Sequence, residues 1–250
     1  MKQNLAHTIQ SVFGETKFLM RTYDLEKELA VFVGDFYERE KEGGDNLWIL
    51  KPPNMARSID MIITDNLPTI VRAMETGPKI AQKYISNPVL RRGKKVDLRY
   101  ILLVKSISPL MLFLYKNFWI RSANNDYTVD RRQLATYETQ FTVMNYGNVT
   151  DFQQIKYQDF IEEFEKDYSV SWTGINEKIK KMLRNTFIAV ATKYPEMHHD
   201  NSRAVYGIDI MIDADNMEPK LLEITFSPDC KRACEYYPNF YDDVFHTLYL

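Results

Sequence analysis

Two acidic residues near the end of the chain occupy positions that predict a metal site. Residues 207–212 and 221–226 alternate apolar and polar side chains as β-strands do, and the Asp- and Asn-rich stretch between them is typical of a turn. A hairpin centred near Asn216 would place Asp209 directly opposite Glu223. Opposed carboxylates, with side-chain bases about 5 Å apart, repel each other unless one is protonated or a cation lies between them.

Magnesium suits this pair, because it prefers oxygen ligands and is usually held by one or two carboxylates. Thr225 and Ser227 lie on the acid-bearing face of the predicted strand and add further oxygen atoms. The apolar residues of the hairpin are expected on the opposite, core-facing side: Ile208, Ile210, Leu222 and Ile224. The simpler alternative, an exposed hairpin with two solvated acids, stays open.

Several cations occupy strands that are otherwise apolar. Lys51 ends one predicted strand and shares a face with its apolar residues, while Lys95, Asp97 and Arg99 alternate onto one face of another. Arg121 follows a short way along the chain. Ordinary surface ion pairs would explain each residue singly. Together they predict an anion pocket, and phosphate bound by Lys and Arg beside a carboxylate-held Mg²⁺ is the chemistry of nucleotide use.

Composition indicates a globular chain. At 250 residues with 45% hydrophobic residues, it can bury a substantial core in one large domain or two small ones. A net charge of −2 gives no overall indication of nucleic acid or membrane as a partner. The start lacks the apolar core of a signal peptide, and no apolar run approaches about 20 residues, so we expect a cytoplasmic location. Cys230 and Cys234, in a predicted helix, are expected to be reduced thiols rather than a disulfide or a zinc half-site.

Hydrophobic periodicity predicts both helices and strands. Helical spacing is present within residues 1–42 and predicts helices at 67–75, 159–166 and 175–193. Strands are predicted at 46–52, 61–64, 81–85, 96–104 and 110–115, the last two joined as a hairpin through 106–109. Residues 193–203 form a predicted polar loop in which His198 and His199 face solvent. No Ser–His or Cys–His arrangement supports a third possibility, an unrelated metal-dependent enzyme with its own nucleophile.

Separated blocks of this sequence resemble the tubulin-tyrosine-ligase-like family in order and approximate spacing, from about Thr22 to the end. The blocks are Trp48–Pro52, Gln82–Ile85, Lys95–Arg99, Arg121–Ser122, Gly207–Asp209 and Glu223–Pro228. The resemblance implies an α+β, ATP-grasp-like fold with mixed or antiparallel sheets flanked by helices, lacking the N-terminal part of the family's fold. It also implies a division into an N-terminal remnant and linker (1–44), a central subdomain (45–104) and a C-terminal subdomain carrying the hairpin (105–250).

The same resemblance assigns roles by position, with ATP and Mg²⁺ as cofactors. Lys51 would contact the ATP phosphates, and the adenine site would be lined by Gln82, Lys83, Tyr84 and Ile85. The phosphate and acceptor pocket would comprise Lys95, Asp97, Arg99 and Arg121. Asp209, Glu223 and Thr225 would hold Mg²⁺, and Asn145 would supply another active-site contact.

Family enzymes activate a carboxylate as an acyl phosphate, which an amine then attacks. The resemblance therefore implies a ligase that adds an amino acid to a protein carboxylate, with tubulin or microtubules as partner. Two departures favour an alternative, a catalytically weakened module that binds tubulin or nucleotide and regulates modification. The stretch 56–60 lacks the glycine that usually lets backbone N–H groups approach phosphates, and it ends in Asp60. Thr225 stands where the family commonly has Asn, which replaces an amide carbonyl with a hydroxyl.

Overall fold

Two antiparallel sheets form the framework of the computed structural model, which describes residues 2–53, 60–142 and 155–250. The helices are α1 Lys2–Phe13, α2 Leu25–Lys41, α3 Leu67–Ala73, α4 Tyr137–Gln140, α5 Tyr157–Tyr168, α6 Trp172–Lys193, α7 Lys231–Tyr236 and α8 Phe240–Tyr249. The strands are β1 Thr22–Asp24, β2 Trp48–Lys51, β3 Ile62–Thr64, β4 Ile80–Lys83, β5 Leu90–Arg91, β6 Lys94–Ile107, β7 Leu110–Leu114, β8 Trp119–Ser122, β9 Ala204–Asp213 and β10 Glu218–Phe226.

The first sheet has the strand order β1-β4-β2-β3 and is covered on one face by α2 and α3. The side chain of Asp24 accepts a hydrogen bond from the Glu26 backbone N–H and so caps the start of α2. Phe32 of α2 packs edge-to-face on Trp48 of β2, with ring centroids 5.0 Å apart. Side chains alternate along a strand, so when Trp48 lies on the helix-covered face, the residues before and after it in the chain point to the opposite face of the sheet.

The second sheet is built around the long strand β6. Leu98 of β6 pairs with Ile210 of β9 on one side and with Ile120 of β8 on the other, so β6 is central. One face carries the largest apolar cluster, in which β6 and β9 pack against helices α1, α5 and α6. The other face is divided: Ile101 and Leu103 pack under α7 and α8, whereas the end nearer Asp97 opens into a cleft.

Most predicted elements are confirmed, with shifted ends. The hairpin of β9 and β10 and the tight connection from β6 to β7 are both present. Helices α5 and α6 begin slightly earlier than the apolar periodicity indicated. Strand β8 was missed, because Lys116 and Asn117 made its surroundings resemble a loop. Cys230 is buried and Cys234 is half-buried, and the structure has both as free thiols.

One prediction about the hairpin is wrong. Leu221 pairs with Ile210 and Glu223 pairs with Asp209, so Leu222 is an extra residue that forms a β-bulge. Leu221 therefore enters the apolar core, while Leu222 lines the cleft instead of the core face.

The predicted division at 44/45 and 104/105 stays a prediction. Sheet membership groups the strands differently, because β1 joins β2–β4 and β6 joins β8–β10. Within the described ranges, every helix is too short or too polar to cross a bilayer.

Candidate functional site

A cleft with about 740 Å³ of empty space, part of it open to solvent, lies between the two sheets. The first sheet and the residues just after β4 contribute Ile49, Lys51, Gln82, Lys83, Tyr84 and Ile85. The second sheet contributes Lys95, Asp97, Arg121, Asp209, Met211, Leu222 and Glu223. Gln140, Phe141 and Thr142 close one wall, and Met20 and Met61 complete the lining. The cleft thus combines apolar side chains with charges of both signs.

The two acids predicted to be opposed are opposed, since Asp209 of β9 pairs with Glu223 of β10 and both line the cleft. Asp209 is buried and is bound by two guanidinium groups. Arg121 Nη2 lies 2.8 Å and Arg99 Nη2 lies 3.0 Å from Asp209 Oδ2, and Arg99 also bonds the other oxygen. Although burial disfavours the charged form, the arginines hold the pKa of Asp209 below its usual range.

Asp97 continues this line of alternating charges on the neighbouring strand. Arg121 Nε donates to Asp97 Oδ1 at 2.6 Å, and the Thr142 hydroxyl donates to the other oxygen. Burial raises the pKa of Asp97, with Arg121 acting in the opposite direction. Arg121 therefore bridges two buried carboxylates, one on β6 and one on β9.

Lys95 is the most deeply buried cation of the cleft. Burial lowers its pKa to about 7, with the nearby charge of Lys51 acting in the same direction and that of Asp97 opposing it. Its Nζ donates to the Tyr84 hydroxyl at 2.5 Å. A lysine that titrates near neutral pH will respond strongly to an anion placed beside it.

Two further lysines lie on the first sheet with different surroundings. Lys51 Nζ donates to Gln82 Oε1 at 2.6 Å, and the Gln82 amide in turn donates to Thr22. Lys83 Nζ lies 2.8 Å from an Asp45 carboxylate oxygen and donates to the Leu47 carbonyl. Burial lowers the pKa of Lys83 despite this ion pair.

Nearly all the residues that the sequence nominated meet in this one cleft. Arg99 is the first exception, because it bonds Asp209 without lining the cleft itself. Thr225 is the second, because it lies two residues beyond Glu223, opposite Gly207. Asn145 and residues 56–59 lie outside the described residues. The roles assigned to these residues remain predictions.

Sequence reasoning did not nominate eight residues of the lining: Met20, Ile49, Met61, Gln140, Phe141, Thr142, Met211 and Leu222. Met211 follows Asp209 by two positions, so strand alternation could have identified it. Leu222 was predicted on the core face, because the alternation did not reveal the bulge that turns it towards the cleft. Gln140 carried no signal, because its place depends on how the chain returns after β8.

The acid pair suits a magnesium ion that arrives with phosphates. Within the described part of the chain, no three His, Cys, Asp or Glu side chains are close enough to hold a metal by themselves. Magnesium commonly takes only one or two carboxylates from the protein and completes its shell with phosphate oxygens and water. Asp209 has about four lone-pair sites, so its arginine bonds leave room for a metal. Glu223 stands opposite as the second carboxylate.

Two antiparallel sheets with flanking helices, enclosing a cleft that holds cations and opposed carboxylates, define an α+β fold of the ATP-grasp-like class. The sequence profile of the Tubulin-tyrosine ligase family matches residues 1–250, so the chain belongs to that family. The family predicted from the sequence is confirmed.

Individual relatives place the chain more closely. It is 43% identical over 93% of its length to mouse Tubulin--tyrosine ligase-like protein 12, covering 39% of that protein, and 42% identical to the human protein of that name, covering 38%. It is 25% identical over 83% of its length to Tubulin glycylase 3E of Tetrahymena thermophila, covering 16% of it. In the sequence, the stretches 51–60, 141–146 and 228–234 resemble protein 12 more narrowly than the family as a whole. The chain spans about two-fifths of the length of the first two relatives.

Proposed function

We propose that the cleft binds Mg-ATP and that the chain is a ligase domain which adds an amino acid to a protein carboxylate on tubulin. The observation that carries the proposal is the strand register that places Asp209 opposite Glu223 in the cleft that also holds Lys51, Lys95 and Arg121. Membership of the Tubulin-tyrosine ligase family and the name of the glycylase relative support tubulin as the protein substrate.

Each part of the cleft has a role in this proposal. Apolar side chains such as Ile49 and Leu222 would enclose the base, and Lys51 and Lys95 would neutralise phosphate charge. Asp209 and Glu223 would hold Mg²⁺, which supplies positive charge to the phosphate oxygens when bound. Arg121 would also stabilise the phosphates, and Arg99, predicted to orient the acceptor, does not line the cleft and would act by holding Asp209. Bound ATP would supply the phosphoryl group that activates the acceptor carboxylate, with ADP as leaving group, and an amine would then form the amide as phosphate leaves; Lys51, Lys95 and Arg121 would hold the phosphates for this chemistry.

Thermal unfolding with and without Mg-ATP tests nucleotide binding. Binding to the folded state alone should raise the melting temperature, and Glu223→Gln should remove most of that rise. Glu218→Gln is a matched control, because Glu218 lies on the same strand and pairs with Lys178 of α6 instead of lining the cleft. It should keep the full rise. If Mg-ATP raised the melting temperature of wild type and of Glu223→Gln equally, Glu223 would not be a magnesium ligand.

A second candidate is a module that binds nucleotide or tubulin without ligation. It is favoured by the engagement of both Asp209 oxygens with arginines and by the glycine-free stretch ending in Asp60. Incubation with tubulin, ATP and labelled tyrosine, glutamate or glycine separates the two. Incorporation that disappears in Arg99→Ala supports the ligase, whereas tubulin binding without incorporation supports the module.

A further inference from the structure

We propose that Tyr84 and Gln140 are positioning residues that hold the Lys95 ammonium group at the cleft, where it meets the anionic part of the ligand. The inference rests on the proposed nucleotide function and assigns Tyr84 a different role from lining the adenine site. It is carried by a directed series of buried hydrogen bonds that begins at Gln140.

The direction of the series is fixed by the Gln140 amide. Its nitrogen donates to the Thr128 carbonyl at 2.7 Å and to the Gln133 carbonyl at 3.4 Å. These bonds leave Gln140 Oε1 as an acceptor, and the Tyr84 hydroxyl donates to it at 2.7 Å. Since a phenol has one proton, the Tyr84 oxygen then accepts, and Lys95 Nζ is its donor.

The surroundings of Lys95 make this bond important. The charged and titratable groups that face it are Lys51 from β2, Asp97 on its own strand, and two tyrosines. Its Nζ lies 4.3 Å from the Tyr84 ring centroid and 5.6 Å from that of Tyr127, at distances where aromatic faces stabilise a cation. Within the described residues, the Tyr84 hydroxyl is the hydrogen-bond acceptor of Lys95. An ammonium has three N–H groups, so as far as the described residues go two are available to an anionic ligand.

The two tyrosines provide a matched pair of variants. Tyr84→Phe and Tyr127→Phe each remove one hydroxyl near Lys95. The Tyr127 hydroxyl donates to the Ser86 carbonyl at 2.9 Å and also interacts with the Tyr84 hydroxyl, so it acts on the Lys95 hydrogen bond only through Tyr84. A hydrogen bond to a charged group favours its charged form, so Tyr84→Phe should make Lys95 lose its proton more readily. Both replacements keep the aromatic ring and its packing.

The measurement is the affinity for Mg-ATP by titration calorimetry from about pH 6 to pH 9, a range that spans the titration of Lys95. In Tyr84→Phe the fall in affinity with rising pH should begin about 0.5–1 pH unit lower than in wild type, with about 3–10-fold weaker binding at pH 7.5. Tyr127→Phe keeps the bond from Lys95 to Tyr84 and should shift the profile much less than Tyr84→Phe. The ligand's own titration is common to all variants and cancels in the comparison.

Gln140→Leu supplies a second variant from the far end of the series, with the melting temperature of each variant as a check on folding. It should shift the pH profile in the same direction as Tyr84→Phe. Tyr84→Phe and Gln140→Leu profiles that keep the wild-type pH dependence, even with weaker binding, would show a merely structural role and overturn the proposal. Failure of the wild type to bind Mg-ATP at any pH would instead overturn the proposed function.

Discussion

The two faces of the second sheet solve the problem of burial in opposite ways. On the face covered by α6, Leu98 and Ile210 are buried among apolar neighbours. On the cleft face, Asp97 and Asp209, which precede these two residues in the chain, are also buried, but Asp97 is held by one guanidinium group and Asp209 by two. The same strands therefore carry an apolar core and a row of ion pairs, one residue apart.

The difference shows which face was shaped for a ligand. Replacing buried ion pairs by apolar residues is often neutral or stabilising, so a fold does not need them for stability. A cleft that receives phosphates and a metal does need fixed charges. The row from Asp97 through Arg121 to Asp209 is thus better explained by binding than by folding.

Arg121→Met should give the largest effect, because it leaves the buried Asp97 without its guanidinium partner. The free energy of unfolding should fall by about 3–5 kcal/mol, measured by chemical denaturation. The double variant Asp97→Leu with Arg121→Met should recover most of this loss. A double variant as unstable as the single one would mean that the ion pairs are needed for folding.

Gly207→Ala should have an intermediate effect. A Cβ at residue 207 would lie 2.9 Å from Pro228 Cβ and 3.3 Å from Arg99 Nη1, so the segment after β10 must shift. We expect a loss of about 1–3 kcal/mol of stability by the same measurement. Gly34→Ala is the control: its Cβ would meet nothing within 4 Å, and in the interior of α2 it should stabilise by up to about 1 kcal/mol. Equal effects from the two variants would contradict the close packing around Gly207.

The pH dependence of stability should give the smallest change, counted per pH unit. Lys95 has a pKa of about 7 when folded and 10.5 ordinarily, so between these values the unfolded chain binds more protons. Burying the charged form of Lys95 lowers the stability of the fold by its full amount below pH 7, and this loss diminishes as the pH rises towards 10. Relative to Lys95→Met, wild type should therefore gain stability with pH, by at most about 1.4 kcal/mol per pH unit. Melting temperatures of both proteins from pH 6.5 to 9.5 check this, and parallel curves would contradict a buried, titrating Lys95.

Much of the site could be predicted because strand alternation is a local property. Lys95, Asp97 and Arg99 share one face in the structure as their spacing indicated. The opposition of Asp209 and Glu223 followed from the predicted hairpin. The predicted centre of the hairpin was half a residue off, but the bulge at Leu222 shifts the register so that Glu223 still pairs with Asp209.

The remainder depended on contacts between distant parts of the chain. Sequence spacing could not show that Arg121 would lie on a strand beside Asp97, or that it would also reach Asp209. The return of Gln140 to the cleft had no local pattern. The predicted need for a cation beside Asp209 was sound physically, but in this structure the partners are arginines supplied by neighbouring strands.

The bulge in β10 also decides which changes of length this strand can accept. Removing Leu222 would join Leu221 directly to Glu223 while each keeps its present neighbour on β9. Removing Ile224 instead would move every later side chain of the strand to the opposite face of the sheet and turn Thr225 towards α6. A natural variant that lacks residue 222 should therefore still fold, with a larger cleft because the Leu222 side chain is missing.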